Sequence, residues 1–182
     1  MTIDLITRVR EPFLYQRMLK SAKETAFGKF NTFAEVDTEH KPKCVETYNR
    51  LAQKSDADIL CFCQDDIEFM DDDWDAHLEE IFAEYKPDVL GTIGMKEYQG
   101  GKLFDAGTEH GVGLVMGNSG VRILSPKARY TPCKVVDGMF MCVRRDWFEK
   151  NPFDPKFYGL FYWDIDLCLR SDRVGVTSLL LK

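Results

Sequence analysis

The chain has 182 residues, 45% of them hydrophobic and 13% aromatic, which is enough to bury a core within one domain. Its formal charge of -6 and pI near 5.1 exclude a basic nucleic-acid footprint, so a phosphorylated ligand would need a metal or local cations to dock. No apolar stretch approaches the ~20 residues of a membrane span and no signal-peptide pattern opens the chain, so a cytoplasmic protein without a transmembrane segment is expected.

Residues 2–9 read as a first strand, with Ile3, Leu5 and Val9 on alternate positions, and Pro12 suits the first turn of a helix carrying Leu14, Met18, Ala22 and Ala26. A second strand at 33–36 ends at Asp37, and a helix over 42–54 turns Val45, Tyr48 and Ala52 inward. Residues 57–62 form a short apolar run bounded by polar residues, as expected of a buried parallel strand. Asp71-Asp72-Asp73 then precede a helix with Trp74, Leu78, Ile81, Phe82 and Tyr85 on one face, where acidic residues suit a cap. Pro87 stops it, and 89–95 supply another strand. This alternation predicts an α/β fold, a mostly parallel sheet with helices on both faces and right-handed crossovers.

The glycine-rich stretch 99–127 lacks a helical period and predicts hairpin strands at 113–116 and 121–124, an irregular arm beside the site. Order returns with a strand over 134–143, a short helix over 145–150 and a helix over 162–173. The expected division is one domain, 1–182, with a nucleotide-binding half at 1–96 and an acceptor and catalytic half at 97–182.

Ligands collect at the carboxyl ends of strands in such sheets, where both Asp37 and Gln64-Asp65-Asp66 fall. Adjacent carboxylates after a buried strand repel unless a cation or hydrogen-bond donors sit between them, and Mg²⁺ or Mn²⁺ prefers one or two such oxygens plus phosphate oxygens. Asp164 and Asp166 stand two apart on a helix and point about 200° from each other, so Asp164 is assigned to the site as general base. Arg170, four residues after Asp166, is expected to pair with it. Phe161, Tyr162 and Trp163 either line a sugar platform or belong to the core. Asp137-Gly138 interrupts an apolar stretch, where a glycine permits close approach by a ligand or marks a bulge. The six cysteines form no C-x-x-C pair and read as buried small hydrophobes, while His40, His77 and His110 have no metal-ligand spacing. Gly111 and Gly113 have no Gly-Lys-Ser/Thr after them, which excludes a P-loop.

Four segments together resemble family 2 glycosyltransferases of the GT-A fold, closest to the short StrF-like branch, over nearly the whole chain. They are Thr47-Tyr48-Asn49-Arg50, the apolar strand running into Gln64-Asp65-Asp66-Ile67, Val136-Asp137-Gly138-Met139-Phe140 with Arg144-Arg145, and Trp163-Asp164-Ile165-Asp166-Leu167-Cys168-Leu169-Arg170. The resemblance implies a Rossmann-like nucleotide-diphospho-sugar transferase fold and an inverting, metal-assisted transfer of sugar to an acceptor hydroxyl. It implies that Asp66 coordinates the divalent metal, Mn²⁺ or Mg²⁺, that Asp65 contacts the nucleoside or sugar, and that Asp37 recognises the base. Thr7 and Arg8, taken as following the first strand, would lie beside the nucleotide, Asp164 would be the catalytic base, and Asp137 with Gly138 would mark where donor sugar and acceptor meet. The implied partners are a nucleotide-diphosphate sugar and a carbohydrate or other hydroxyl acceptor, with a homo-oligomer left open. Gln64, Trp163 and Phe161 depart from the branch pattern, which has Asp, Glu and His there. The competing expectation is a catalytically inactive nucleotide-sugar or carbohydrate-binding protein on the same fold, favoured by Gln64 and by the short C-terminus at Lys182.

Overall fold

The computed structural model describes residues 1–37, 44–98, 100, 111–117, 120–123, 128–157 and 162–182. His40, His110, Phe161 and the start of the helix expected from 42 lie outside them. Eleven strands and five helices follow in order among the described residues: β1 (Ile3–Val9), α1 (Pro12–Thr25), β2 (Asn31–Val36), α2 (Cys44–Ala52), β3 (Ile59–Cys63), α3 (Trp74–Glu84), β4 (Val89–Gly91), β5 (Ile93–Met95), β6 (Gly111–Gly117), β7 (Gly120–Ile123), β8 (Tyr130–Pro132), β9 (Val135–Val136), β10 (Phe140–Arg144), α4 (Arg145–Phe148), α5 (Trp163–Leu169) and β11 (Val174–Thr177). Among them no helix is long and apolar enough to cross a membrane.

The main sheet has the order β2-β1-β3-β10-β4-β11-β8. β1 pairs in parallel with β2 and β3, and β11 in parallel with β4, while β10 runs antiparallel to both β3 and β4. The halves drawn at residue 96 are therefore interleaved, because β10 and β11 enter a sheet begun by the first half. A smaller antiparallel sheet, β7-β6-β5-β9, contains the expected hairpin as β6 and β7.

Alternation along the strands sorts the core to two sides. Leu60 and Phe62 pack with Val45, Tyr48 and Leu51 of α2 and with α4 and α5. Ile59, Cys61 and Cys63 pack instead with Met18 and Ala22 of α1 and with Trp74, Leu78, Ile81 and Phe82 of α3. Helices thus cover both faces, as the sequence predicts.

Three expected elements change. The run 89–95 is two strands in different sheets, because the chain turns out at Thr92 to let β5 meet β9. A Cβ on Gly91 would lie 2.7 Å from that of Val136, and one on Gly94 only 2.3 Å from the Val135 carbonyl oxygen. The strand expected over 134–143 is broken into β9 and β10 by a turn at Asp137-Gly138-Met139. The last helix covers only Trp163–Leu169, and β8 and β11 arise where no strand is expected.

The acidic run before α3 also behaves differently from a side-chain cap. Asp73 sits at the N-cap in the left-handed region, φ 57°, without a side-chain cap hydrogen bond. Asp71 instead accepts the Leu180 N–H at 2.7 Å, and buried Asp75 accepts those of Phe27 and Gly28. Tyr85 lies off the apolar face, 40% exposed, and stacks on Tyr130.

Candidate active site

Because β1, β2 and β3 are parallel, their carboxyl ends present Arg10, Asp37 and Gln64-Asp65-Asp66 along one edge. β10 runs the other way, so the turn that feeds it arrives at that same edge. There the Gln64 N–H donates to the Met139 carbonyl at 2.9 Å. One residue earlier the Gly138 N–H donates to Asp164 Oδ2, also at 2.9 Å. Two acidic segments about a hundred residues apart in sequence are joined through this turn by these two hydrogen bonds.

Asp164 is the second residue of α5, and its Oδ1 accepts the Ile165 N–H at 2.9 Å. Burial raises its carboxyl above the ordinary value, opposed by the amides of Ile165 and Gly138. Burial likewise pushes Asp137 up to about 6 against the hydrogen bond from the Met139 amide, and the Asp164 charge adds to the rise. Gly138 lies so close under α5 that a Cβ there would come within 2.5 Å of the Trp163 ring and 3.2 Å of the Asp164 Cβ.

The support behind Asp164 is aromatic. Trp163 is 4% exposed, and its ring packs against Phe153 at 5.0 Å and Tyr48 at 5.5 Å. Trp163 is thus a core residue; Tyr162, at 44% exposure and φ 68°, is not. Asn49 clamps the chain before α5, donating to the Phe153 carbonyl at 2.8 Å and accepting its N–H at 3.1 Å. Asp166 pairs with Arg170 at 2.9 Å as expected, and Arg170 also donates to the Pro152 carbonyl.

Asp65 is 1% exposed, and its Oδ2 accepts the N–H groups of Arg10 at 2.6 Å and Glu11 at 2.7 Å. It anchors the loop after β1. Asp66 is the accessible member of the pair, with its side chain 43% exposed. Arg10, to which the sequence assigned no role, lies across both: Nε is 3.8 Å from Asp65 Oδ1 and Nη2 is 3.9 Å from Asp66 Oδ2. Its position just past a strand end, before an acidic pair on the neighbouring strand, is the signal that could have found it.

Mg²⁺ or Mn²⁺ needs one or two carboxylate oxygens when phosphates supply others. Asp66 can offer one, while Asp65 is engaged by two amides. Among the described residues no three His, Cys, Asp or Glu side chains converge as a metal centre. The donor set fits a cation that arrives with a diphosphate.

Thr7 and Arg8 lie within β1 rather than after it. Thr7 is 1% exposed and its hydroxyl meets Cys63 Sγ at 3.0 Å, so its side chain faces the sheet interior. Arg8 Nε donates to Asp37 Oδ2 at 3.0 Å, and Nη2 joins the same oxygen. Cys44, at the start of α2, is pushed up to about 11 by burial, with Arg8 pulling it down and the Asp164 charge pushing it up. Arg8 and Asp37 therefore reach the edge as a pair, and Cys44 feels the charges of both Arg8 and Asp164.

The sequence profile of a family described as glycosyltransferase-like matches residues 5–180. No curated protein matches the chain. Among solved structures it is similar to S. aureus TarS 1-349 in complex with UDP, at 13% identity and TM-score 0.62, covering 98% of this chain and 58% of that one. The same protein in complex with UDP-GlcNAc gives 11% identity and TM-score 0.60, covering 98% and 56%. A197 from STIV gives 12% identity and TM-score 0.57, covering 98% and 82%. The chain thus spans just over half of TarS 1-349, and at these identities the likeness is one of fold. It agrees with the GT-A type of mixed sheet.

Proposed function

The chain belongs to the glycosyltransferase-like family, and on that footing we propose that it moves a sugar from a nucleotide-diphosphate donor to an acceptor hydroxyl with inversion. The observation that carries this reading is the placement of Asp164 against Gly138, one residue from the Met139 carbonyl that holds Gln64 beside Asp65 and Asp66. A proton acceptor and a diphosphate end then lie along one sheet edge.

In this reading Asp164 takes the proton of the acceptor hydroxyl as its oxygen attacks the anomeric carbon in line. The new bond forms as the bond from that carbon to the donor phosphate oxygen breaks, and the nucleoside diphosphate leaves without an acid. The raised affinity of Asp164 for a proton suits a base, and its two amide contacts fix the carboxylate plane. A divalent cation held through Asp66 and the diphosphate oxygens would neutralise charge on the leaving group. Asp37, oriented by Arg8, is assigned to the base of the nucleotide, and Asp137 to the junction of sugar and acceptor.

TarS 1-349 was crystallised with UDP and with UDP-GlcNAc, which makes uridine diphosphate sugars the first donors to test. Asp164→Asn is expected to keep donor binding in calorimetry and to lose both transfer and donor hydrolysis. Transfer by that variant at the wild-type rate would remove Asp164 from the role of base. Donor binding by the wild type with no turnover of any donor would leave the inactive binding protein as the reading.

A further inference from the structure

Arg10 carries an inference beyond those roles, resting on the nucleotide-donor reading above. Its backbone N–H is fixed to Asp65, but its guanidinium is held loosely, at 3.8 and 3.9 Å from two carboxylate oxygens. Both distances exceed a hydrogen bond, and the side chain makes no closer polar contact among the described residues. It is 39% exposed at the strand edge. A guanidinium offers five N–H donors in a planar fork that matches phosphate oxygens, and here they are not committed.

We propose that Arg10 is a diphosphate-binding residue, parked between Asp65 and Asp66 in the free protein and turned onto the donor's non-bridging phosphate oxygens when the donor arrives. Two carboxylates at the edge would repel a diphosphate, and Arg10 offsets one of the two charges before any metal enters. Docking of the diphosphate therefore survives removal of the divalent cation, and the metal adds to a site that already holds a cation. A surface ion pair of little consequence is the competing reading, and it predicts no effect on diphosphates.

The test is calorimetric titration of UDP, GDP, CDP, dTDP and inorganic pyrophosphate into wild type, Arg10→Gln, Arg10→Lys and Asp66→Asn, each with MnCl₂ and with EDTA. Arg10→Gln is expected to weaken binding about tenfold or more in EDTA but only about two- to threefold in Mn²⁺, since a charge-assisted contact is lost where no metal compensates. Arg10→Lys recovers part of the loss. Asp66→Asn shows the opposite pattern, losing the gain from Mn²⁺ while binding at least as well as wild type in EDTA. The backbone N–H that holds Asp65 is retained in both Arg10 variants, and their thermal midpoints check the fold. Equal weakening of Arg10→Gln in both buffers, or none in EDTA, overturns the assignment of Arg10 while leaving the donor reading standing. Wild type that binds none of the five ligands in either buffer overturns both.

Discussion

Asp164 Oδ2 accepts the backbone N–H of Gly138 at 2.9 Å, and this contact sets the distance between α5 and the turn entering β10. The approach is possible because residue 138 lacks a Cβ, which would otherwise collide with Trp163. Gly138→Ala is expected to push α5 outward, costing about 1–3 kcal/mol of stability as an overpacked contact does. Turnover should fall by about ten- to a hundredfold, as for a displaced reacting group. Thermal denaturation and a transfer assay check this; wild-type values in both would mean the contact is slack.

Burial raises Asp164, so the base is charged only above its raised value. kcat/KM is expected to climb with pH through that value and then level off, with the limb displaced upward from the ordinary carboxylate value of 3.8. A pH profile of transfer measures it. A limb at the ordinary value, or one surviving in Asp164→Asn, would contradict the assignment.

Asp137 gives a stability prediction with a definite sign. Its carboxyl rises from 3.8 unfolded to about 6 folded, so between those values the native state holds more proton than the unfolded chain. The cost of burying the charge is complete above about pH 6 and relieved as pH falls toward 3.8. It is on the order of 2–3 kcal/mol. Asp137→Asn keeps an oxygen for the Met139 N–H and should be more stable than wild type at pH 8, with the difference shrinking by pH 4. Urea titrations at the two pH values test it, and a gap that widens toward acid would reverse the reading.

Asp65 and Asp66, adjacent in sequence, should separate cleanly. Asp65→Ala leaves the N–H groups of Arg10 and Glu11 without their acceptor and is expected to cost about 1–3 kcal/mol of stability. Asp66→Ala removes an accessible carboxylate and should leave the thermal midpoint nearly unchanged while abolishing the gain in donor binding from Mn²⁺. Differential scanning calorimetry with nucleotide titration distinguishes them; identical behaviour would mean that the two share one role.

The early part of the fold is legible because β1, α1 and α2 show periods of 2 and 3.6 and β3 is a short apolar run bounded by polar residues. Asp164 and Asp66 are legible as carboxylates at ends of elements, and the Asp166–Arg170 pair follows from spacing alone. The split of β4 from β5 is hidden because 89–95 is apolar apart from Thr92, and the small residues Gly91 and Gly94 betray the approach of β9. β11 is four residues long, and its Gly175 is the trace of Tyr130 lying over it, 2.2 Å from where a Cβ would stand. The αL conformation of Asp73, and the use of Asp71 and Asp75 on distant amides, depend on partners far along the chain. Arg10 is not legible, because the carboxylates it lies across follow a strand that is its neighbour in space and not in sequence.

β10 divides β3 from β4, although all the residues of those two strands are made well before it. On the ribosome the nascent chain must carry an unfilled slot at the middle of its largest sheet until residue 144 has emerged. Contacts of long sequence separation slow folding, so commitment to the native topology is a late event in synthesis. Shortened products ending before β10 would expose the flanks of both strands and should be clients of chaperones or proteases.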